Sequence, residues 1–126
     1  MMNPPREDMS RLANLDDFIA YCESTPEESW TCDVVRTKTN QNCLFGHLVD
    51  WFYGPEYTGV ISGAWDYFEE MWASTFMVYP INDGTNPKYP QASPKARSIA
   101  FLKDMAEGRV ETSAQYWDRM DKEMEP

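Results

Sequence analysis

The segment 42–50, NCLFGHLVD, holds the only histidine of the chain and one of its three cysteines. Its pattern predicts a helix of about 3.6 residues per turn, on which Cys43, His47 and Asp50 share one face. A thiol activated by an imidazole that a carboxylate orients is the arrangement of a cysteine-dependent hydrolase or transferase. Packing into the core is the alternative, because an apolar set lies beside that face: Leu44, Leu48 and Trp51.

The same histidine and the three cysteines also form a possible metal-binding set. Cys22, Cys32, Cys43 and His47 follow one another as C-x9-C-x10-C-x3-H. Thiolates and an imidazole are the ligands of tetrahedral zinc, and the last interval suits two ligands one helical turn apart. The first two intervals exceed those of compact zinc fingers, and a chain of this length does not need a metal to hold its core. We therefore expect no cofactor, with zinc at these four residues as the alternative.

The net charge of −10 is concentrated at the two ends of the chain. Residues 1–33 carry eight acids and two bases, residues 34–103 carry six of each, and residues 104–126 carry seven acids and three bases. A protein without a basic patch cannot neutralise phosphates, so we expect no direct binding to nucleic acid or to an anionic membrane. The acidic ends either keep the protein in solution or attract a protein partner with a basic surface.

Several features of the sequence predict a cytoplasmic protein. No apolar run approaches the roughly 20 residues of a membrane span. The first residues, MMNPPREDM, lack the hydrophobic stretch of a secretory signal. An odd number of cysteines without such a signal is typical of reduced thiols.

The hydrophobic pattern predicts a mainly α fold, a single compact domain of four to five helices with at most a short two-stranded β element. A loose lead-in is expected over 1–13 and the helical domain over 14–126. An apolar stripe at helical spacing marks the central helix: Ile61, Trp65, Phe68, Trp72 and Phe76. Helices are predicted at 14–25, 43–53, 60–76, 94–107 and 112–123, and strands at 30–37 and 76–81.

Helix-capping residues support the helix at 94–107. Ser93 precedes Pro94, which suits the first turn of a helix, and Gly108 suits the position just past its end.

The last helix combines charged residues with four apolar ones: Tyr116, Trp117, Met120 and Met124. Aromatic and methionine side chains in an acidic segment are candidate contacts for a protein partner. Docking back onto the core is the alternative for the same four residues.

The order of short motifs resembles a family of small uncharacterised actinobacterial and phage proteins. The resemblance rests on Trp30, on Cys43-x-x-Gly46-x-Leu48 opening a helix, on Asn82-Asp83 and on a helix like 97–105. It implies a mostly helical cytoplasmic domain in a phage or actinobacterial setting, and it brings no assigned catalytic residues. The chain departs from the family at His47, where a small residue is usual, which puts a family-wide role of that histidine in doubt.

These observations favour a small acidic protein-interaction module over an enzyme. In this hypothesis the protein is a phage-encoded modulator or inhibitor of a host protein, for example one that binds nucleic acid, and its acidic surface contacts the basic surface of that protein. A hydrolase or transferase using Cys43 and His47 is the second hypothesis. A structural module supported by zinc is the third.

Overall fold

The computed structural model describes residues 11–54, 56–57 and 59–124. Within these ranges the chain forms six α-helices and no strand. The helices are α1 (Arg11–Ser24), α2 (Leu44–Tyr53), α3 (Ser62–Met71), α4 (Val78–Asp83), α5 (Pro94–Ala106) and α6 (Ser113–Glu123). Single turns of 3₁₀-helix lie at Glu27–Ser29 and Thr75–Met77. The mainly helical single domain is thus confirmed, with one helix more than expected.

The N-terminal boundary differs from the prediction. Helix α1 begins at Arg11, whereas the lead-in was expected to reach residue 13. Most of the predicted lead-in, residues 1–10, lies outside the described residues.

The strand predicted at 30–37 is a loop. Its only ladder-like contacts are two isolated bridges, in which Trp30 and Arg36 both pair with Asn42. Asp33 and Asn40 adopt positive φ angles of 70° and 61°, which curl the chain before a ladder can continue. The β-branched residues of this segment therefore do not build a strand, because both bridges go to the same residue, Asn42, and no run of successive residues is paired.

The strand predicted at 76–81 was also wrong, since this stretch ends a 3₁₀ turn and forms α4. Pro80 argues against a strand at this position. In the structure it lies in the first turn of α4, where the backbone amides have no intrahelical acceptor, so the absence of its N–H breaks no hydrogen bond.

The central helix is shorter than its apolar stripe predicts. Helix α3 ends at Met71, and the amides of Trp72 and Ala73 both donate to the carbonyl of Phe68. The Ser74 hydroxyl then accepts from the amide of Phe76, at 3.3 Å, which starts a separate 3₁₀ turn. As a result Trp72 is fully buried while Phe76, the last member of the stripe, is 61% exposed.

A cluster of three large aromatic rings forms the centre of the core. The centroid of Phe18 on α1 lies 5.1 Å from that of Trp51 on α2 and 5.7 Å from that of Trp72. The Trp51 indole N–H donates to the Asp17 carboxylate at 3.0 Å, so its polar edge is satisfied. Burial of such rings supplies most of the stabilisation of a small helical domain.

The capping residue predicted for α5 is confirmed, and α6 has a side-chain cap as well. The Ser93 hydroxyl accepts from the amide of Ala96 at 3.1 Å, with Pro94 as the first residue of α5. Thr112 and Gln115 form a reciprocal capping box at the start of α6. These local bonds satisfy amides that would otherwise lack partners at the helix ends.

The loop that precedes α2 lies directly against the first turn of that helix at Gly46. A Cβ atom at this position would lie 2.4 Å from the carbonyl oxygen of Val35 and 2.5 Å from the side-chain oxygen of Asn42. The amide of Cys43 donates to the same Val35 carbonyl at 3.0 Å, so the backbone cannot easily move away. Gly46 therefore permits a close approach of loop and helix.

We expect Gly46→Ala to lower the free energy of unfolding by about 2 to 3 kcal/mol, because the added methyl group overpacks a backbone contact. Urea unfolding followed by circular dichroism measures the change. Gly108→Ala is the matched control, since a Cβ there meets open space and costs only the strain of a positive φ, about 1 kcal/mol. Equal losses in the two variants would contradict the close approach.

Candidate functional site

The structure places the predicted catalytic residues at the buried start of α2. Cys43 is the N-cap residue of this helix, and Cys43 and His47 are each 2% exposed. Asp50 is partly buried on the same helix. The face that carries these side chains is therefore turned toward the protein interior and toward the loop that precedes α2, residues 30–43, which we call the 30–43 loop.

His47 is held as a neutral imidazole. Its Nε2 lies 3.2 Å from the carbonyl oxygen of Ser29, which can only accept, so Nε2 carries the proton. The ring packs on Trp30 with 4.1 Å between centroids. Burial lowers the pKa of His47 to about 4, and the nearby charges of Arg36 and Lys95 act in the same direction. Nδ1 has no hydrogen-bond partner among the described residues.

Cys43 and Asp50 have partners other than His47. Burial raises the pKa of the Cys43 thiol, and the backbone amides at the helix start offset this only in part. The Asp50 carboxylate forms an ion pair with Arg36 and accepts from the Asn42 side chain at 3.2 Å. Since Nδ1 of His47 is unpartnered, the three side chains share a helix without the hydrogen-bonded relay that an activated nucleophile needs.

The four residues of the possible zinc set lie in different surroundings. Cys22 is fully buried on α1, where burial raises its thiol pKa. The Cys32 thiol lies 3.6 Å from the carbonyl oxygen of Asn82 and 3.8 Å from the Arg97 guanidinium. In the described ranges, no group of three or more His, Cys, Asp or Glu side chains could hold a metal ion.

We expect one of the three thiols to react quickly with a thiol reagent in the native protein, because Cys32 is partly exposed while Cys22 and Cys43 are buried. All three should react after unfolding in urea. Mass spectrometry of the labelled protein identifies the site, with Cys32→Ser as the control. Fast labelling of Cys43 would favour the enzyme hypothesis, and labelling that requires a chelator would favour the zinc hypothesis.

The pH dependence of stability should report on His47. In the unfolded chain a histidine has a pKa of about 6.5, well above its folded value, so the unfolded state takes up the proton first as the pH falls. Unfolding free energy should thus fall by up to about 1.4 kcal/mol per pH unit from pH 6.5 toward pH 4, and stay unaffected by this group above pH 7.

His47→Phe is the control for this pH dependence, because it keeps an aromatic ring against Trp30 and removes the titrating group. The loss of stability between pH 7 and pH 5, measured by urea unfolding, should be about 2 kcal/mol smaller in the variant. Equal losses in the two proteins would mean that His47 titrates normally in the folded state.

The four predicted partner contacts lie on or just past α6 beside a fifth apolar residue, Phe76, which was predicted as part of the stripe of the central helix and not as a partner contact. Trp117 is 43% and Met124 80% exposed, while Tyr116 and Met120 are partly buried. The ring of Phe76 meets that of Trp117 edge-on, with 5.9 Å between centroids. We call these five residues the α6 face. Phe76 follows Ser74 and Thr75, two residues that can interrupt a helix. This was the signal in the sequence that Phe76 leaves the central helix.

Helix α6 is attached to the domain at its first turn. Ser113, the one buried residue of this helix, donates its hydroxyl hydrogen to the carboxylate of Glu69 on α3. Glu69 also accepts from the Thr75 hydroxyl at 3.2 Å, which links the start of α6 to the 3₁₀ turn that carries Phe76. The α6 face is therefore held in place at one end and open to solvent along the rest of the helix.

Comparisons with family models, with curated proteins and with solved structures found no match to this chain. None of the described helices is long and apolar enough to cross a membrane. The function must therefore be inferred from the residues themselves.

Proposed function

We propose that the protein is a small acidic protein-interaction module that binds a host or cellular protein through the α6 face. The observation that carries this proposal is the contact between the rings of Phe76 and Trp117. The two residues pack on each other, and yet Phe76 is 61% and Trp117 43% exposed. Aromatic and methionine side chains dominate the binding energy of protein interfaces. The part of these two rings that remains in water is apolar area that a partner can bury.

The partner in this proposal has a basic surface. The chain has a net charge of −10, and such a charge speeds the encounter with a cationic protein. The resemblance to actinobacterial and phage proteins adds the setting: a phage-encoded modulator in the cytoplasm, whose acidic surface occupies the basic surface of a host protein, for example one that binds nucleic acid. Such a modulator would act by blocking that surface and would need no cofactor.

We expect Trp117→Ala to weaken the complex by at least about tenfold, because truncating a central aromatic contact costs more than about 1.4 kcal/mol. The tagged protein first recovers the partner from a host lysate, and the dissociation constant is then measured with the purified partner. Met124→Ala is a second variant, since its 80% exposed side chain contributes little to the fold. Raising the salt concentration should weaken the complex further.

Val34→Ala is the matched control for the binding measurement, because Val34 is an exposed apolar residue of the 30–43 loop. It should leave the affinity unchanged. A complex that tolerates Trp117→Ala and Met124→Ala but not Val34→Ala would place the interface on the loop and would contradict the proposal.

A further inference from the structure

Residues at helical spacing form a line along α6 that is apolar after its first member. Ser113, Trp117, Met120 and the C-cap residue Met124 follow one another at steps of four, three and four residues. The mean step of about 3.7 residues keeps the line on one face of the helix. A second helix laid along such a line can contact it at every step.

The line is covered unevenly. Ser113 is 6% exposed against Glu69 of α3 and Met120 is partly buried, whereas Trp117 is 43% and Met124 80% exposed. In the described part of the chain, Trp117 and Met124 therefore keep a large share of their apolar area in water.

The cations of α6 are already engaged within the molecule. Arg119 forms ion pairs with Glu111 at 2.8 Å and with Glu123 at 3.3 Å. Lys122 forms an ion pair with Asp118 at 3.3 Å. The α6 helix thus offers a partner no uncompensated positive charge.

Acids of α3 and α6 remain without ion pairs. Helix α3, which contacts α6, contains three acids and no base: Asp66, Glu69 and Glu70. None of the ion pairs among the described residues includes Asp66, Glu70 or Asp121, and Asp121 lies on α6 itself. A helix that lies along α6 would therefore gain from lysine or arginine beside its apolar residues.

We propose that the occupant of the α6 face is an amphipathic helix of the partner protein, with leucine-like residues along one line and lysine or arginine on its flanks. This inference rests on the proposed function and specifies the structure that is bound. A second copy of the chain is a poorer occupant, because it would bring two acidic helices of a protein with net charge −10 together.

A synthetic peptide pair tests the inference. The first peptide has about three heptads with leucine at positions a and d and lysine at e and g, and the second replaces every lysine with glutamate. Fluorescence anisotropy of the labelled peptides measures binding to the full chain. We expect the lysine peptide to bind at least about tenfold more tightly than the glutamate peptide.

Variants distinguish a specific site from general attraction between opposite charges. Met124→Ala and the double change Asp66→Asn with Glu70→Gln should each weaken binding of the lysine peptide several-fold. Glu28→Gln removes one exposed acid far along the sequence from α3 and α6 and should have little effect. If Met124→Ala has no effect and the other two variants weaken binding in proportion to the negative charges that they remove, attraction by net charge alone explains the binding and the inference is overturned.

Two further outcomes separate this inference from the proposed function. If neither peptide binds while the complex with the natural partner still depends on Trp117, the proposed function stands and the helical occupant is refuted. If sedimentation shows a dimer that Met124→Ala dissociates, a second copy occupies the α6 face and the inference is likewise overturned.

Discussion

The buried side chain of Asn82 is the interaction on which the arrangement of the loop and the helices depends. Its Oδ1 accepts from the amide of Leu44 at 3.0 Å, and its Nδ2 donates to the carbonyl of Thr31 at 2.9 Å. Arg97 on α5 donates to the carbonyls of Ile81 and Asn82, which end α4. Leaving any of these buried groups unpaired would cost about 1 to 3 kcal/mol, so the polar network specifies one arrangement of segments far apart in sequence.

The position of the loop explains why Cys43, His47 and Asp50 are not joined to one another by hydrogen bonds. The Asn82 network fixes the loop against the start of α2, where Trp30 covers the His47 ring and the Ser29 carbonyl accepts the hydrogen bond from Nε2. Asp50 is engaged by Arg36 from the same loop. The buried imidazole, whose Nδ1 has no partner among the described residues, therefore costs stability at acidic pH.

The sequence predicted those features that depend on neighbouring residues. The cap at Ser93, Gly108 just past the end of α5 and the buried positions Phe68 and Trp72 follow from local hydrogen bonds and helical spacing. The loop at 30–37 and helix α4 were not predicted, because bonds to the side chains and backbone of Asn42 and Asn82 decide them and leave no periodic signal. The exposure of Phe76 was not predicted either, because it results from the interruption of the helix after Met71.

Helix α6 stands in contrast to this well-connected interior. An isolated helix of this length is marginal in water, so α6 depends on its capping box, on the Ser113 contact to Glu69 and on the edge of Trp117 against Phe76. The aromatic contact therefore serves the stability of the free protein and is also the surface available to a partner. A helix that covered Trp117 and Met124 would bury apolar area that the domain itself leaves in water, and it would hold α6 along its whole length rather than at its first turn.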